Sequence, residues 1–467
     1  MVICVPEKRF LQSYWRERQQ QRSRLCWSLT SKICSCWGKN YFQKLYFILP
    51  FLYLALANFN PYFTVCMKKY FSYLFLITLL LLNTLYVSAQ ATDSVANCHV
   101  RISVLTVEPG QELYSIFGHS AIRVQDRLKH SDIVYGWGTF DFDEPDFYWK
   151  FMKGNLNYFV SVDAFNDFMQ EYKVDQRSVW EQVLILNCVQ KDSILSALAI
   201  NMLPQNRFYK YDFLKDNCTT RIRDMIFAHL PNMEITDSLT LPGVSFRDMI
   251  HEYLDEGAKP WSKLGIDILL GSPTDKEPNN HSAMFLPDYL MQALDLTLVD
   301  GAPITERENM IYQAAPCDCL TWMYAPLMVT SVVCVIFFII SIIPIRWAIT
   351  ITKFADSFFF YITGLIGILI VFMWFFTEHT STANNFNIAW ALPTNFLFAF
   401  FVWRHHKWTR PYFLIVSLIY AVLLATWFFL PQELNIALIP VVLLMMFRSF
   451  KLGGKKIPKE YNAEVYF

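Results

Sequence analysis

Lys215-Asp216-Asn217-Cys218-Thr219-Thr220 reads as the start of a helix with a cysteine in its first turn. Asp216 or Asn217 can cap that start, because a short polar side chain accepts N–H groups that the first turn leaves unpaired. Ile222, Met225 and Ile226 follow at helical spacing from Cys218, so the thiol shares the apolar stripe and points into the protein. There the unpaired N–H groups and the helix dipole favour thiolate over thiol, the form a nucleophile needs.

Around this helix the pattern is mixed. Val100 to Val107, His119 to Gln125 and Ile133 to Phe142 read as strands, the last rich in aromatic and β-branched residues. Helical patterns at Pro145 to Met152 and Ala164 to Tyr172 precede a strand-like run at Val179 to Val189. Further helices fit Lys191 to Met202, Cys218 to Leu230, Phe246 to Leu254 and Ser282 to Leu298. Without a regular βαβ alternation this predicts an α+β domain over residues 90–321. There is no internal repeat, P-loop or glycine-rich dinucleotide fingerprint.

A thiol nucleophile needs a base, and His119 opens a strand whose Ile122 and Val124 alternate into the core. An imidazole there can lean onto the start of a packed helix, take the thiol proton and return it to a leaving group. Taken singly, a buried Cys is commonly small core filler and a His at a strand start commonly structural. Together with Asn217 and the capped helix they predict a catalytic pair. Neither has a second His or Cys at ligand spacing, so no metal and no cofactor are expected. A third residue should orient the imidazole; the next strand offers Tyr135, Thr139 and Asp141, with Asp141 the best charged candidate.

The charge is equally informative. The 467 residues hold 40 basic and 40 acidic side chains and are 54% apolar, which excludes a disordered or nucleic-acid-coating chain. That zero divides into +7 over residues 1–66, +2 over 67–89, −14 over 90–321 and +5 over 322–467. From Trp322 the apolar residues form runs: Trp322 to Ile345, Ser357 to Thr377, Ile388 to Trp403, Tyr412 to Leu430 and Leu434 to Phe447. A bilayer crossing takes roughly 20 apolar residues, so the third and fifth are short, and an all-α bundle of about five transmembrane helices is predicted. Arg346 and Lys353, then Arg404, Lys407 and Arg410, then Arg448 and the lysines of tail 448–467 all fall on one side. The turns Glu378 to Asn387 and Pro431 to Glu433 hold no Lys or Arg. The positive-inside rule therefore puts the C-terminus in the cytoplasm and residues 90–321 outside.

Met67-Lys68-Lys69, the apolar Phe71 to Leu82 and the small Val87-Ser88-Ala89 form a secretory signal peptide over 67–89. Residues 1–66, basic and holding five of the eleven cysteines, read as an over-extended reading frame with its true start at Met67; a sixth membrane segment around Leu45 to Ala57 is the alternative. The exported part has Cys98, Cys188, Cys218, Cys317 and Cys319. An odd count leaves at least one thiol unpaired within the chain.

A His on a strand, followed by an Asn-Cys pair opening a helix, resembles the circularly permuted papain-like domains related to NlpC/P60. Tyr114 to Val124, Val134-Tyr135-Gly136-Trp137-Gly138-Thr139-Phe140-Asp141-Phe142, and Tyr209-Lys210-Tyr211-Asp212-Phe213 through Asn217-Cys218-Thr219-Thr220-Arg221 more specifically resemble the exported domain of the Lnb family. These are Gram-negative lipoprotein N-acyltransferases with a C-terminal membrane module. The resemblance implies a permuted papain-like thiol enzyme in the inner membrane, with its catalytic domain periplasmic. Cys218 would take an acyl chain from a membrane phospholipid as a thioester and pass it to the α-amino group of a diacylglyceryl-cysteine lipoprotein, with His119 as base. Asn217, beside the nucleophile, and His379 and Asn385, in an outer polar loop, are the expected substrate-facing residues. Competing readings are a cell-wall cysteine peptidase or amidase using the same pair, and a non-enzymatic membrane scaffold.

Overall fold

The computed structural model describes residues 98–315, 324–403 and 406–454. The expected leader and signal peptide, Cys317-Asp318-Cys319 and residues 455–467 lie outside them. All elements below belong to one compact unit, Val100–Phe467.

The chain alternates strands and helices in an irregular order: β1 (Val100–Val107), β2 (His119–Asp126), β3 (Ser131–Thr139), α1 (Phe147–Lys153), β4 (Asn157–Ala164), α2 (Phe165–Val174), β5 (Val179–Val183) and α3 (Cys188–Asn201). Then come β6 (Phe208–Lys210), α4 (Cys218–His229), β7 (Met233–Ile235), α5 (Phe246–Glu256), α6 (Pro260–Leu269), α7 (Asn280–Ala283), α8 (Pro287–Asp295), β8 (Thr297–Val299), β9 (Ala302–Pro303) and β10 (Asn309–Tyr312). Seven strands form one sheet in the order β10-β5-β1-β2-β3-β4-β6, and every pairing in it is antiparallel. An antiparallel sheet with its helices outside regular βαβ units is the α+β class expected.

Both faces of the central strands are covered, which is why β1 is buried along nearly its whole length, Ser103 and Thr106 included. Ile102, Val104, Ile122 and Val124 face a core with Ile222, Ile226 and Leu290. Leu105, Val107, Ala121 and Val134 face Phe168, Met169 and Tyr172 of α2. The expected helix Ser282 to Leu298 is instead two, α7 and α8, because Pro287 at the first turn of α8 cannot continue a preceding helix. The expected strand Val179 to Val189 stops at Val183, and Asn187 caps α3. Strand β4 and helix α6 are absent from the sequence reading; β4 mixes polar and apolar residues within a sheet that supplies its partners.

The C-terminal module contains α9 (Ala325–Ile342), α10 (Arg346–Phe375), α11 (Thr394–Phe398), α12 (Thr409–Thr426) and α13 (Ile439–Gly454). Among the described residues four helical stretches are long and apolar enough to cross a membrane: Ala325–Ile342, Arg346–Phe375, Thr409–Phe429 and Ile436–Gly454. The third expected pass, Ile388 to Trp403, is not a continuous helix. It is broken into short turns at Phe386–Ala389, Thr394–Phe398 and Ala399–Phe401, with Pro393 between them. This segment runs antiparallel to α10, since Gly367 abuts Ala391, Gly364 abuts Phe396 and Phe354 packs on Trp403. Its polar side chains are paired internally: the Asn395 amide donates to Thr363 Oγ1 and the Tyr420 hydroxyl. Irregular backbone at membrane depth is tolerated where protein covers it. A buried bidentate pair, Arg448 to Asp356 at 2.7 Å on both oxygens, ties α13 to α10.

Loops 377–387 and 431–435, which lack basic residues, are the ones that grip the sheet domain. Arg247 is fully buried and donates to Asp267 at 2.9 Å and Asp275 at 2.9 Å. Asp267 also accepts from Asn435 at 2.8 Å, and Asp275 from the Glu433 N–H at 2.8 Å. The Asn387 and Asn385 amides donate to the carbonyls of Asp267 and Ile268 at 2.8 Å each.

Candidate active site

Asn217 begins the site by stopping the chain from winding earlier. Its side-chain oxygen accepts from the N–H groups of Thr219 and Thr220, the Thr220 hydroxyl oxygen accepts from the Asn217 N–H, and α4 therefore starts at Cys218. The Asn217 amide nitrogen donates to the carbonyls of Phe213 at 2.7 Å and Phe285 at 2.9 Å. Each polar atom of this side chain is thus occupied inside the protein, at the start of the helix that carries Cys218.

Helix α4 is held on β2 by Ser120 Oγ and Thr219 Oγ1, 3.2 Å apart and both buried. That contact sets Cys218 beside His119, the residue preceding Ser120. Burial pushes the Cys218 thiol up, but the neighbouring His119 charge and hydrogen bond, the Ser120 N–H and the Thr219 hydroxyl outweigh it, and the net value falls from 9.0 to about 7. A thiol at that value is substantially ionised near neutrality. Cys218 is a free thiol, whereas Cys98 and Cys188 are disulfide-bonded.

The imidazole occupies space that β3 leaves open. A side chain at Gly136 would come within 3.6 Å of His119 Nε2, and one at Gly138 within 3.9 Å of the Cys218 Cβ. Both glycines sit where the register between β3 and β4 shifts. The His119 ring stacks over Tyr172, with centroids 6.5 Å apart. Burial first, then nearby charges that include Cys218, push the phenols of Tyr172, Tyr209 and Tyr211 up, so these hydroxyls stay neutral. The Tyr209 hydroxyl is buried with no hydrogen-bond partner among the described residues. These three tyrosines carry no role in the sequence reading; the aromatic motif Tyr209 to Phe213 was the signal available for two of them.

The other expected residues lie elsewhere. Asp141 is exposed beyond the end of β3, where its carboxylate accepts from the Asp143 N–H at 2.9 Å. The His379 Nε2 lies 3.3 and 3.2 Å from the carbonyls of Phe151 and Met152, and Asn385 is buried against α6. Both hold the loop 377–387 to the sheet domain, a different occupation from binding a lipid headgroup. No group of three or more His, Cys, Asp or Glu capable of holding a metal occurs among the described residues.

A groove of about 970 Å³ runs between α3 and α4, lined by Trp137, Asp192, Ser196, Lys215, Arg221 and Asp224 among others. It flanks the Cys218 helix on its outer side and does not include the thiol.

Fold and site together define a class: a sheet domain with an activated cysteine on a helix start, built onto a membrane-spanning helical module. Residues 87–253 match the Lnb N-terminal periplasmic domain and residues 319–455 the Lnb transmembrane domain. The chain belongs to the Lnb family, and so to a family of membrane lipoprotein processing with a periplasmic N-terminal domain at the inner membrane. No curated protein and no solved structure matches it.

Proposed function

We propose that this protein is a lipoprotein N-acyltransferase that uses Cys218 as its nucleophile. The observation that carries the reading is a free thiol held at about 7 beside His119, in a domain pinned to a membrane module through Arg247, Asp267 and Asn435. In this reading residues 90–321 form the periplasmic catalytic domain and 322–447 the membrane module, whose last helix runs on to Gly454, with the C-terminus on the cytoplasmic side.

The Cys218 thiolate attacks the carbonyl carbon of a phospholipid acyl ester. His119 carries the thiol proton and gives it to the departing lysophospholipid oxygen, leaving an acyl thioester on Cys218. The α-amino group of a diacylglyceryl-cysteine lipoprotein then attacks the thioester carbon, His119 takes the amine proton, and the thiolate leaves. Negative charge on the acyl oxygen in each half falls to the Cys218 N–H at the start of α4 and to the unpartnered Tyr209 hydroxyl. Asp141, exposed beyond the end of β3 with one carboxylate oxygen in a local turn, is given no step in this reading.

Incubation of the native protein and Cys218→Ser with acyl-labelled phospholipid tests the reading. The expected result is a hydroxylamine-sensitive acyl group on the native protein alone. Cleaved muropeptides without any acyl-enzyme would replace the reading with a cell-wall peptidase.

A further inference from the structure

Helix α1 is a short helix with no buried residue, although its sequence is Phe147-Tyr148-Trp149-Lys150-Phe151-Met152-Lys153. Tyr148 is 82% exposed, Phe142 59%, Phe151 54% and Trp149 49%. Such an apolar cluster on a water-facing surface costs roughly 25 cal/mol for every Å² left wet. Its position explains the composition. Trp149 packs on Phe372 in the last turns of α10, ring centroids 5.9 Å apart, and α10 is a membrane-crossing stretch. Phe375 at the end of α10 and Phe376 just beyond it are 63% and 65% exposed, so the lipid-facing surface of that helix continues onto α1.

The placement is rigid. The Glu378 N–H donates to the Lys153 carbonyl at 2.9 Å, and Lys210 pairs with Glu378 at 2.7 Å. Gly154 ends α1 at φ 73, and a side chain there would lie 3.3 Å from the His379 ring. Only glycine serves both the left-handed turn and the close imidazole.

From the exposed cluster a line of rings leads inward. Phe147 lies 5.1 Å from Phe142, Phe142 4.9 Å from Phe140, Phe140 5.3 Å from Tyr158, and Tyr158 4.8 Å from Tyr211. Gly138, two residues before Phe140, adjoins Cys218. We infer that helix α1 forms a lip seated in the outer leaflet of the bilayer, with Tyr148, Trp149 and Phe151 among the acyl chains and Lys153 at the phosphates, while Lys150 stays paired with Glu144 at 2.9 Å. Its aromatic line is the path by which an acyl chain passes from the leaflet to Cys218. Aromatic rings and lysines are the side chains suited to that depth. The acyl path rests on the acyltransferase reading; the seating in the leaflet does not.

The test uses the full-length protein in nanodiscs of phosphatidylethanolamine and phosphatidylglycerol, with a fluorescent amino acid placed at residue 148. The comparison site is Leu128, which is 71% exposed in the hairpin at the other ends of β2 and β3. Phosphatidylcholine carrying a nitroxide near its carbonyls should quench the probe at 148 severalfold more than the probe at 128, and aqueous iodide the reverse. Equal iodide quenching at both sites, or no excess of lipid quenching at 148, overturns the proposal. Quenching at 148 with no acyl-enzyme forming on Cys218 would leave the lip standing and defeat the acyltransferase reading. The Tyr148→Ser/Trp149→Ser/Phe151→Ser variant should load Cys218 from bilayer phospholipid severalfold more slowly than native; unchanged loading overturns the acyl path.

Discussion

At the residue scale the chemistry depends on how an ordinary thiol is made acidic inside a protein. Burial works against ionisation, so removing the groups that oppose it should be decisive. The rate of Cys218 alkylation by iodoacetamide should rise with pH and reach half its maximum near 7, because the thiolate is the reacting form and is populated above the lowered value of about 7. In His119→Ala the midpoint should move up to 9.0 or beyond, since burial then acts with only the weaker Ser120 and Thr219 bonds against it. A midpoint that stayed near 7 would remove His119 from its role. The sequence shows this pair by residue type and local context: a capped helix start for Cys218 and a strand start for His119. It does not show Tyr172, Tyr209 or Tyr211, because a buried tyrosine near a thiol looks in sequence like any core aromatic.

At the element scale the broken segment 386–403 is the feature that an apolar run conceals. Hydropathy counts residues and predicts a helix, but Pro393, Asn387 and Asn395 interrupt regular winding and are satisfied by neighbours instead. The segment fits against α10 only because two glycines remove side chains there. A Cβ on Gly364 would lie 2.1 Å from the Phe396 nitrogen and one on Gly367 1.9 Å from the Ala391 oxygen. Gly364→Val should therefore lower the thermal midpoint in detergent, with a destabilisation of about 1–3 kcal/mol or more. Gly265→Ala, on a helix with nothing within 4 Å of the added carbon, should leave the midpoint unchanged or raise it slightly. An equal response to both substitutions would contradict the close packing.

At the scale of the whole molecule the membrane module donates hydrogen bonds, from Asn435 and the Glu433 N–H, to the carboxylates of an ion-pair cluster in the sheet domain. Arg247 is fully buried between Asp267 and Asp275, so Arg247→Met takes a cation from the buried Asp267, which keeps only His251, and from the partly buried Asp275, a loss of about 3–5 kcal/mol. Amide hydrogen exchange in loops 377–387 and 431–435 should accelerate in that variant, while the hairpin between β2 and β3 keeps its native rate. Burial raises the Asp267 carboxyl, yet its His251 hydrogen bond, followed by the His251 and Arg247 charges and Asn435, holds the net value below the ordinary 3.8. Its folded value is depressed, so its stabilisation is fully present above 3.8 and is lost as pH falls through the lower folded value. The junction should consequently survive mild acid.

Composition and periodicity alone determined that this chain is an α+β domain followed by apolar spans, with Cys218 on a capped helix start. Those are local properties: hydrophobic period, capping residues and turn breakers act over a few positions and are written in order along the chain. The tertiary structure decided what long-range contacts decide. It brought His119 to Cys218 across a sequence separation of about a hundred residues, and it spent Asn217, His379 and Asn385 on internal hydrogen bonds. It placed Asp141 in a solvent-facing turn, and it set the bare aromatic helix α1 against the end of a membrane helix. A side chain's type says which bonds it can make; only the fold says which partners are within reach.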